Sequence, residues 1–338
     1  PEDHLPHVRH FAKEYFAKKR YYKAREDRSQ YDLAILVNAE DQAAPSNKRA
    51  IVKFRQAAEH MGFAVDIIGP NDIDRLGEYD ALLIRENTHV NDHTYRFARK
   101  AQKEGLAVMD APDAILKCNN KVYLAEVMEA NAVPSPRTMI VHSENRNEVA
   151  TRLGLPVVLK LPDSTFSRGV TKAKTPEELV QKLDELLDES DLVIAQEYMP
   201  SDFDWRIGVL DGEPLYACKY FMAAGHWQIY NWGSDTKKHQ TGDFATMHVH
   251  ECAKDIIDAA VHAVKAIVGD QGLFGVDIKE VAGKPYVIEV NECPNIDHGV
   301  EDVALGDELY RKIIGSMKRA IERRIGITPT KGKTSIKA

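Results

Sequence analysis

Hydrophobic positions in the first third of the chain follow two alternating periods. Apolar residues at helical spacing between Ile51 and Met61, behind a candidate cap at Ser46, predict one helix, and a second helix is predicted over 92–104. Short apolar runs predict strands at 32–37, 63–68, 79–84 and 106–109. Strands that alternate with helices in this way favour a parallel sheet joined by right-handed crossovers.

The pattern changes after residue 117. A single helix is predicted over 118–133, because Pro134 cannot continue it. A compact unit follows, with strands predicted at 157–161, 170–174 and 192–198 and a helix at 176–189. Hairpin signals then predict antiparallel strands at 204–210, 214–221, 227–231, 274–281 and 285–291. Helices at 250–268 and 307–324 are expected to cover that sheet.

The fold class predicted from these elements is α/β, with α+β character in the C-terminal part. A polar, basic stretch precedes the first strand, and a Lys/Thr-rich stretch follows the last helix. The expected divisions are a helical lead-in or linker at 1–30, an α/β domain at 31–117, a central unit at 118–200, a C-terminal unit at 201–326 and a flexible tail at 327–338.

The composition excludes several classes of protein. With 43% hydrophobic and 29% charged residues in a chain of 338, there is material for a packed core, and wholesale disorder is excluded. The net charge of -7 argues against nucleic-acid binding as the main activity. No apolar run approaches the roughly 18 residues of a membrane span. The four cysteines lack metal-type or disulfide spacing and no secretory signal is visible, so we expect free thiols and a cytoplasmic location.

Two apolar segments near the C-terminus carry oxygen ligands where core residues would be expected. Glu289 and Asn291 are two apart and face the same way, and Asp277 joins them if the hairpin pairs it with Glu289. That register needs an odd-length loop, such as Ala282–Lys284. Carboxylate and amide oxygens suit Mg²⁺ held between protein and phosphates. The alternative is that they are solvent-side strand residues, although Asp and Asn are poor strand formers.

Two further segments carry groups that can bind a nucleotide. Lys160 lies in an apolar strand before a loop of small hydroxyl residues around Gly169, whose backbone N–H groups can point at phosphates. Alone this motif is weak, because a strand lysine can also extend to solvent, and neither a Walker A loop nor a GxGxxG pattern is present. Downstream, a strand crossover can offer backbone groups to an adenine edge. Asp204 can accept hydrogen bonds from a ribose, and Arg206 carries forked donors for phosphate.

The order of these motifs resembles the ATP-grasp superfamily. The motifs are Asn119-Asn120-Lys121, Val-Val-Leu-Lys160, the small-residue loop, Gln196-Glu197-Tyr198, Asp204-x-Arg206, Gly-Val-Asp277 and Glu289-Val-Asn291. The combined set is specific for the superfamily and covers about residues 31–325. The chain is most similar to the RimK-like branch, which holds the ribosomal-protein glutamate ligase and bacterial glutathione synthetases. The resemblance implies an ATP-grasp fold, in which a lid at 118–200 and a C-terminal subdomain at 201–326 clamp ATP.

The resemblance also implies roles for individual residues. Lys121 and Lys160 would hold the phosphates of ATP, and Arg206 would steady the transferred phosphoryl group, so that Lys160 and Arg206 are the catalytic candidates. The metal ligands, for one or two Mg²⁺ that Mn²⁺ could replace, would be Asp277, Glu289 and Asn291. The other nucleotide-binding positions would be Ser164, Thr165, Ser167, Arg168, Gly169, Gln196, Glu197, Tyr198 and Asp204.

The activity that the resemblance implies is ATP-dependent ligation of a carboxylate to an amine through an acyl-phosphate, with release of ADP. The substrates would be an amino acid, a small peptide or a protein terminus, and we expect a homo-oligomer. Arg85, Lys219 and His226 are candidates for binding substrate carboxylates, with a surface ion pair as the alternative for each.

Two departures from the family pattern keep other functions open. The loop at 164–170 has one glycine where the glutamate-ligase pattern has several, and the segment 237–243 lacks the Arg-Asn…Gly-Gly signature of that branch. A nucleotide-binding regulatory protein without turnover, or a phosphotransferase acting on small carboxylates, is therefore an alternative to the ligase.

Overall fold

A computed structural model describes residues 29–38, 40–41, 44–163, 169–223, 227–229 and 242–327. The predicted lead-in at 1–30, apart from its last two residues, and the tail beyond Ile327 lie outside the described residues. In the described ranges no helix is long and apolar enough to cross a bilayer. The four cysteines are free and buried, as expected.

The first sheet is parallel, as predicted, with strand order β2-β1-β3-β4. Its strands are β1 (Tyr31–Leu36), β2 (Phe63–Ile68), β3 (Ala81–Ile84) and β4 (Ala107–Met109), with helices α1 (Lys48–His60) and α2 (His93–Glu104) between them. Both faces are covered, because Leu33 and Ile35 pack in the cluster that contains α1, whereas Ala34 and Leu36 pack in the one that contains α2. The first sheet is therefore buried between two apolar clusters.

The residue that caps α1 differs from the prediction. The side chain of Asn47 accepts a hydrogen bond from the Ala50 N–H at 2.9 Å and is the cap. Ser46 is buried, and its hydroxyl donates to the Ile296 carbonyl at 2.8 Å. Ser46 therefore joins two distant parts of the chain.

The helix predicted at 118–133 is shorter, α4 (Lys121–Ala130), and a separate helix that was not predicted, α3 (Pro112–Cys118), precedes it. The break falls at Asn119 and Asn120, and the Asn120 side chain caps α4 by accepting from the Tyr123 N–H at 3.0 Å. A cap needs a non-helical backbone, so Asn119 ends α3 and Asn120 begins α4. Lys121 is thereby placed in the first turn of α4.

The second sheet is antiparallel, in the order β5-β8-β6-β7. Its strands are β5 (Thr138–Val141), β6 (Val157–Lys160), β7 (Val170–Ala173) and β8 (Val193–Glu197). One face packs against α5 (Val149–Leu153) and α6 (Pro176–Glu189). Neither β5 nor α5 was predicted, because both are too short to show a period.

The third sheet is antiparallel, in the order β11-β10-β9-β12-β13. Its strands are β9 (Phe203–Leu210), β10 (Glu213–Phe221), β11 (Phe244–Met247), β12 (Leu273–Val281) and β13 (Lys284–Glu292). Helix α7 (Lys254–Ile267), shorter than predicted, packs on one face. The strand predicted at 227–231 is wrong for its described part, 227–229, which is a bend, and β11 was missed.

The last helix, α8 (Asp307–Arg324), does not simply cover the third sheet as expected. It packs against α1 and β4, and its apolar side chains share one core with the first sheet and with one face of the third. The chain thus returns to its N-terminal part after completing the third sheet. Short 3-10 turns complete the described structure at Ile73–Glu78, Arg146–Glu148 and Val249–Glu251.

Candidate functional site

A cavity lies between the second and third sheets and reaches the carboxyl edge of the first. Strands β6, β7 and β8 line one side, β9, β12 and β13 line the other, and the residues after β3 lie at one end. The predicted site residues among its lining are Lys121, Lys160, Gln196, Glu197, Tyr198, Asp204, Arg206, Asp277, Glu289 and Asn291.

The hairpin of β12 and β13 pairs Asp277 with Glu289, which is the register required for a shared site. The predicted reason is wrong, because Val281 pairs with Lys284 and leaves a two-residue loop. The register changes at a β-bulge, where Ile278 pairs with Val287 and Ile288 is the extra residue. The bulge lets Ile288 and Glu289, although adjacent, both line the cavity.

Asp277 is bound by a guanidinium from the neighbouring strand. Arg206 donates from Nε to Asp277 Oδ1 at 2.8 Å and from a terminal nitrogen to Oδ2 at 2.9 Å. Asn291 Nδ2 also donates to Oδ2, at 3.1 Å. On its other side the Arg206 guanidinium stacks on the Tyr220 ring, 5.3 Å from its centroid. Two hydrogen bonds to Asp277 and the contact with the Tyr220 ring therefore hold Arg206 in one orientation.

The two lysines meet the site from different elements. Lys121 donates to Glu289 Oε1 at 2.8 Å, and Lys160 donates to Gln196 Oε1 at 2.9 Å. Burial lowers the pKa of Lys160 to about 8. Burial alone would raise the pKa of Glu289, but the charges of Lys121 and Lys160 hold it below its ordinary value. Glu289 is therefore an ionised group surrounded by cations.

Asp204 has its own cation. Lys279, on β12, forms an ion pair with it, and the Ser201 hydroxyl donates to the same oxygen at 3.2 Å. Burial raises the pKa of Asp204 despite that ion pair. Lys279 was not singled out by sequence, because a lysine in a half-buried strand has no local signal.

The donor set fits a divalent cation together with phosphates. Asp277 and Glu289 are cross-strand neighbours that supply hard oxygens, and each is now neutralised by a cation of the type that binds phosphate. A phosphate group could accept the hydrogen bonds of Lys121 and Arg206, and a metal ion could take over the carboxylates. Both exchanges keep every buried charge paired. No group of three or more His, Cys, Asp or Glu suited to a metal occurs in the described ranges, so any metal here would rely on these two carboxylates, Asn291 and ligand oxygens.

The predicted adenine-binding segment is held largely by protein contacts. The Glu197 N–H donates to the Arg137 carbonyl at 2.9 Å, and its carboxylate accepts from the Arg137 N–H and guanidinium. Gln196 binds Lys160 and Thr138, so it positions the lysine. Tyr198 packs edge-to-face against Trp227, with an angle of 74° between the ring planes. The side chains of Glu197 and Gln196 therefore support the segment.

Several predicted positions lie outside the described residues. They are Ser164, Thr165, Ser167, Arg168 and His226. Gly169 is described, with a positive φ of 69° that favours glycine, and its carbonyl accepts from the Leu161 N–H at 3.3 Å. This contact closes the base of the loop beside Lys160.

Arg85 is not placed to bind a substrate carboxylate. Its side chain is 1% exposed and stacks on Phe54. Its guanidinium donates to Ser46 Oγ at 3.0 Å and to the carbonyls of Pro45 and Pro294, both at 2.7 Å. Arg85 thus holds the segment after β13 against the first sheet. The prediction that Arg85 binds a substrate carboxylate is corrected accordingly.

Lys219 does not line the cavity that contains Arg206. It pairs with Trp205, whereas its neighbour Cys218 pairs with Arg206, and successive strand residues point to opposite faces. Its ammonium group lies 4.1 Å from the Phe203 ring centroid and 4.5 Å from that of Trp205. Lys219 therefore faces away from Arg206.

The cavity residues that the sequence analysis did not assign include Thr88, Asn119 and Glu292. Burial raises the pKa of Glu292 to about 8. Asn119 and Glu292 stand next to predicted site residues, which is the only signal that could have drawn attention to them.

Comparison with known proteins agrees with this architecture. Residues 118–295, more than half of the chain, match the family described as the ATP-grasp domain. The chain belongs to the ATP-grasp family. The resemblance stated from the motifs is confirmed, as is the α/β fold class.

Its similar relatives by sequence include named ligases. The chain is 24% identical over 280 residues to a probable alpha-L-glutamate ligase from Vibrio vulnificus, covering 77% of this chain and 89% of that one. It is 25% identical over 290 residues to the ribosomal protein bS6–L-glutamate ligase from Salmonella schwarzengrund, covering 80% and 91%.

Solved structures share the fold at lower identity. D-alanine–D-alanine ligase from Bacillus anthracis superposes with a TM-score of 0.63 at 16% identity, covering 88% of this chain and 99% of that one. The RimK domain ATP-grasp protein from Sphaerobacter thermophilus superposes with a TM-score of 0.60 at 14% identity, covering 85% and 99%. These likenesses concern the fold alone.

Proposed function

We propose that this protein is an ATP-dependent ligase that joins a carboxylate to an amine through an acyl-phosphate, releasing ADP. The observation that carries the proposal is the pairing of Asp277 with Arg206 and of Glu289 with Lys121 inside one cavity. These pairs place carboxylates that can bind a metal ion beside cationic side chains that can bind phosphate. The names of the glutamate ligases among its relatives support the same class.

In the proposed reaction the cavity's cations hold the nucleotide. Lys121 and Lys160 would bind phosphate oxygens of ATP, and Asp277, Glu289 and Asn291 would hold one or two Mg²⁺, or Mn²⁺ in their place. Magnesium would supply charge neutralisation between the phosphates. Asp204 would meet the ribose, with Lys279 keeping its carboxylate in place.

Phosphoryl transfer requires positioned charge more than a protein nucleophile. A carboxylate oxygen of the donor attacks the terminal phosphorus of ATP, the bond to ADP breaks, and an acyl-phosphate forms. An uncharged amine then attacks the carbonyl carbon, phosphate leaves with the bonding electrons, and the nitrogen loses a proton. Arg206 would stabilise the charge that develops in both steps.

The substrates belong to the proposal. An amino acid, a small peptide or a protein terminus fits the class of reaction, and the relatives' names point to glutamate as a substrate to test first. The placement of Arg85 and Lys219 removes two candidate carboxylate-binding groups from the cavity.

ADP release and hydroxamate formation test this function together. The chain is incubated with Mg²⁺, ATP, hydroxylamine and each of a panel of carboxylates that includes glutamate. We expect one carboxylate to give equal amounts of ADP and hydroxamate, because hydroxylamine traps the acyl-phosphate. Asp277→Asn is expected to abolish both products. Nucleotide binding with no ADP release for any carboxylate would favour the regulatory alternative, and carboxylate-dependent ADP release that no added amine affects would favour the phosphotransferase.

A further inference from the structure

Tyr220 stands between the catalytic candidate Arg206 and a buried carboxyl group. Cys218 of β10 pairs with Arg206 of β9, so Tyr220, two residues further along β10, lies on the same face of the third sheet. The Tyr220 ring lies against the Arg206 guanidinium, 5.3 Å from the ring centroid. At the far end of the ring, the hydroxyl donates a hydrogen bond to Glu301 Oε1. Tyr220 therefore links Arg206 to Glu301.

The Glu301 carboxyl group is held within its own segment. It is 1% exposed, and its second oxygen accepts from the Asp297 N–H at 2.6 Å. Burial raises the pKa of Glu301 to about 7, but a carboxyl oxygen accepts the tyrosine hydrogen in either charge state. Burying a polar group is unfavourable, and an apolar side chain would fill the same space at lower cost. What Glu301 provides at this position is therefore a directional acceptor.

The connecting segment, residues 293–306, carries Glu301 and is fixed on two sides. Side chains of the third sheet and of the N-terminal part of the chain all donate to its carbonyl groups. These hydrogen bonds run from Tyr216 to Asn295 at 3.3 Å, from Thr246 to Val300 at 2.8 Å, from Arg85 to Pro294 at 2.7 Å and from Ser46 to Ile296 at 2.8 Å. Glu301 is therefore attached to a well-anchored part of the molecule.

The contact between Tyr220 and Arg206 differs in kind from the contact between Asp277 and Arg206. In the proposed reaction Asp277 turns to a metal ion, and its two hydrogen bonds to the guanidinium are lost. The ring meets the face of the guanidinium and uses none of its N–H groups, so this contact persists when those groups turn to phosphate. A forked donor must stay aligned with the group that it stabilises, because small displacements of a catalytic group slow a reaction.

We propose that Tyr220 and Glu301 are positioning residues for Arg206: the Glu301 carboxyl holds the Tyr220 ring, and the ring holds the plane of the guanidinium during phosphoryl transfer. The proposal rests on the ligase function above. Arg206 is expected to interact more strongly with the transition state than with bound ATP. The loss of either positioning residue therefore affects turnover rather than nucleotide binding.

Tyr220→Phe removes the hydroxyl and keeps the ring. With the carboxylate that gives hydroxamate, we expect kcat to fall about tenfold, while KM for ATP and the calorimetric affinity for a non-hydrolysable ATP analogue stay within about twofold. Glu301→Leu removes the acceptor and should lower kcat by a similar factor, and the two changes together should lower it no further. An unchanged kcat in Tyr220→Phe, or in Glu301→Leu where only that variant folds, would overturn the proposal.

Tyr310→Phe is the matched control. The Tyr310 hydroxyl donates to Asp302 Oδ2 at 3.0 Å, in the same connecting segment, but its ring packs on Phe54. Both tyrosine variants lose one hydrogen bond to this segment, so we expect the melting temperature to fall in both and kcat to fall only in Tyr220→Phe. An equal loss of kcat in the two variants would mean that any loosening of the segment impairs turnover, and would reject a specific role for Tyr220.

A variant at Arg206 tests whether the effect passes through the guanidinium. In the Arg206→Ala background, Tyr220→Phe has no guanidinium to position and should lower kcat no further. A further loss in that background, equal to the loss in the unchanged chain, would contradict the proposed link.

A measurement without turnover lets the two proposals fail separately. The Arg206 Nε–H signal is identified in a heteronuclear NMR spectrum by its loss in Arg206→Lys, with Mg²⁺ and the ATP analogue present. We expect this signal to shift or broaden in Tyr220→Phe and to stay unchanged in Tyr310→Phe. That result without hydroxamate for any carboxylate would retain the positioning role and reject the ligase. Hydroxamate formation with an unchanged signal and an unchanged kcat in Tyr220→Phe would do the reverse.

Discussion

Charged side chains in the cavity form ion pairs, and we propose that the members of each pair separate when substrates bind. Arg206 and Asp277 lie on adjacent strands and share two hydrogen bonds, whereas Asp204 forms its ion pair with Lys279. Breaking a buried pair by removing one member leaves an uncompensated charge, which costs more than the pair contributes. The binding energy of the nucleotide must therefore exceed the cost of separating them.

Arg206 is expected to act mainly on turnover. The guanidinium group of Arg206 faces more negative charge in the transition state than in bound ATP, so Arg206→Ala should lower kcat by about 10²–10³-fold. Arg206→Lys keeps the charge but loses the planar group, so it should restore kcat only in part. Melting temperature and kcat are measured on the same preparation. A folded Arg206→Ala fraction that keeps the kcat of the unchanged chain would mean that the arginine only holds Asp277.

Asp110 is expected to make stability depend on pH. It is fully buried, and burial raises its pKa to about 7, against an ordinary value near 4. Between about pH 4 and pH 7 the unfolded chain releases this proton while the folded chain retains it, so stability falls as pH rises through that window, by up to roughly 4 kcal/mol.

Asp110→Asn removes the carboxyl group that takes up this proton. The melting temperature of the unchanged chain should therefore fall relative to that of the variant between about pH 4 and pH 7. A constant difference between the two across that range would show that Asp110 is already ionised when folded.

At the scale of elements, most of the longer strands and helices follow from the sequence, but short elements and irregularities do not. The strand Phe63–Ile68 and the helices Pro176–Glu189 and Asp307–Arg324 agree with their predicted bounds, because each has a clear period and a proline or glycine at or near an end. The register of Asp277 with Glu289 was anticipated for the wrong reason, since a bulge has no signature in one sequence. The role predicted for Arg85 was wrong for a similar reason, because its hydrogen-bond partners are 40 and 209 residues away along the sequence.

The bulge at Ile288 can be tested by deletion. Removing Ile288 places Glu289 directly after Val287, which keeps the pairing with Asp277 and the alternation of faces. We expect a folded protein that binds Mg²⁺-ATP at least about tenfold more weakly, because burial of an isoleucine side chain contributes about 1.5–3 kcal/mol.

Ile288→Ala is the milder version and should weaken nucleotide binding in the same direction. Val303→Ala, at a residue that is 59% exposed, is the matched control. Calorimetry showing unchanged affinity for both Ile288 variants would mean that this side chain does not contact the nucleotide.

For the whole molecule, the first sheet and helix α8 stabilise each other through a shared core. Six large apolar side chains of α8 lie in the core that contains Leu33 and Phe54 of the first sheet and α1. They are Leu309, Tyr310, Ile313, Ile314, Met317 and Ile321. At about 1.5–3 kcal/mol each, their burial is comparable to the roughly 5–15 kcal/mol net stability of a typical protein.

A chain that ends at Gly306 is expected to lose cooperative thermal unfolding and to expose its apolar core to a hydrophobic dye. A chain that ends at Ile327 retains every residue of that core and serves as the control. Cooperative melting of the shorter chain within a few degrees of the control would contradict this account. The family match ends at residue 295, so a fragment cut to that match would share the defect.

The return of α8 has a consequence during protein synthesis. The last strand of the first sheet ends at Met109, and the helix that completes its core begins at Asp307, roughly 200 residues later. At about 5–20 residues per second, a ribosome needs about 10–40 seconds to cover that distance. Through that interval the nascent N-terminal segment carries an uncovered apolar face, which is the kind of surface that chaperones bind. Slow codons or a stalled ribosome between these points would therefore harm this chain more than one whose domains close in order.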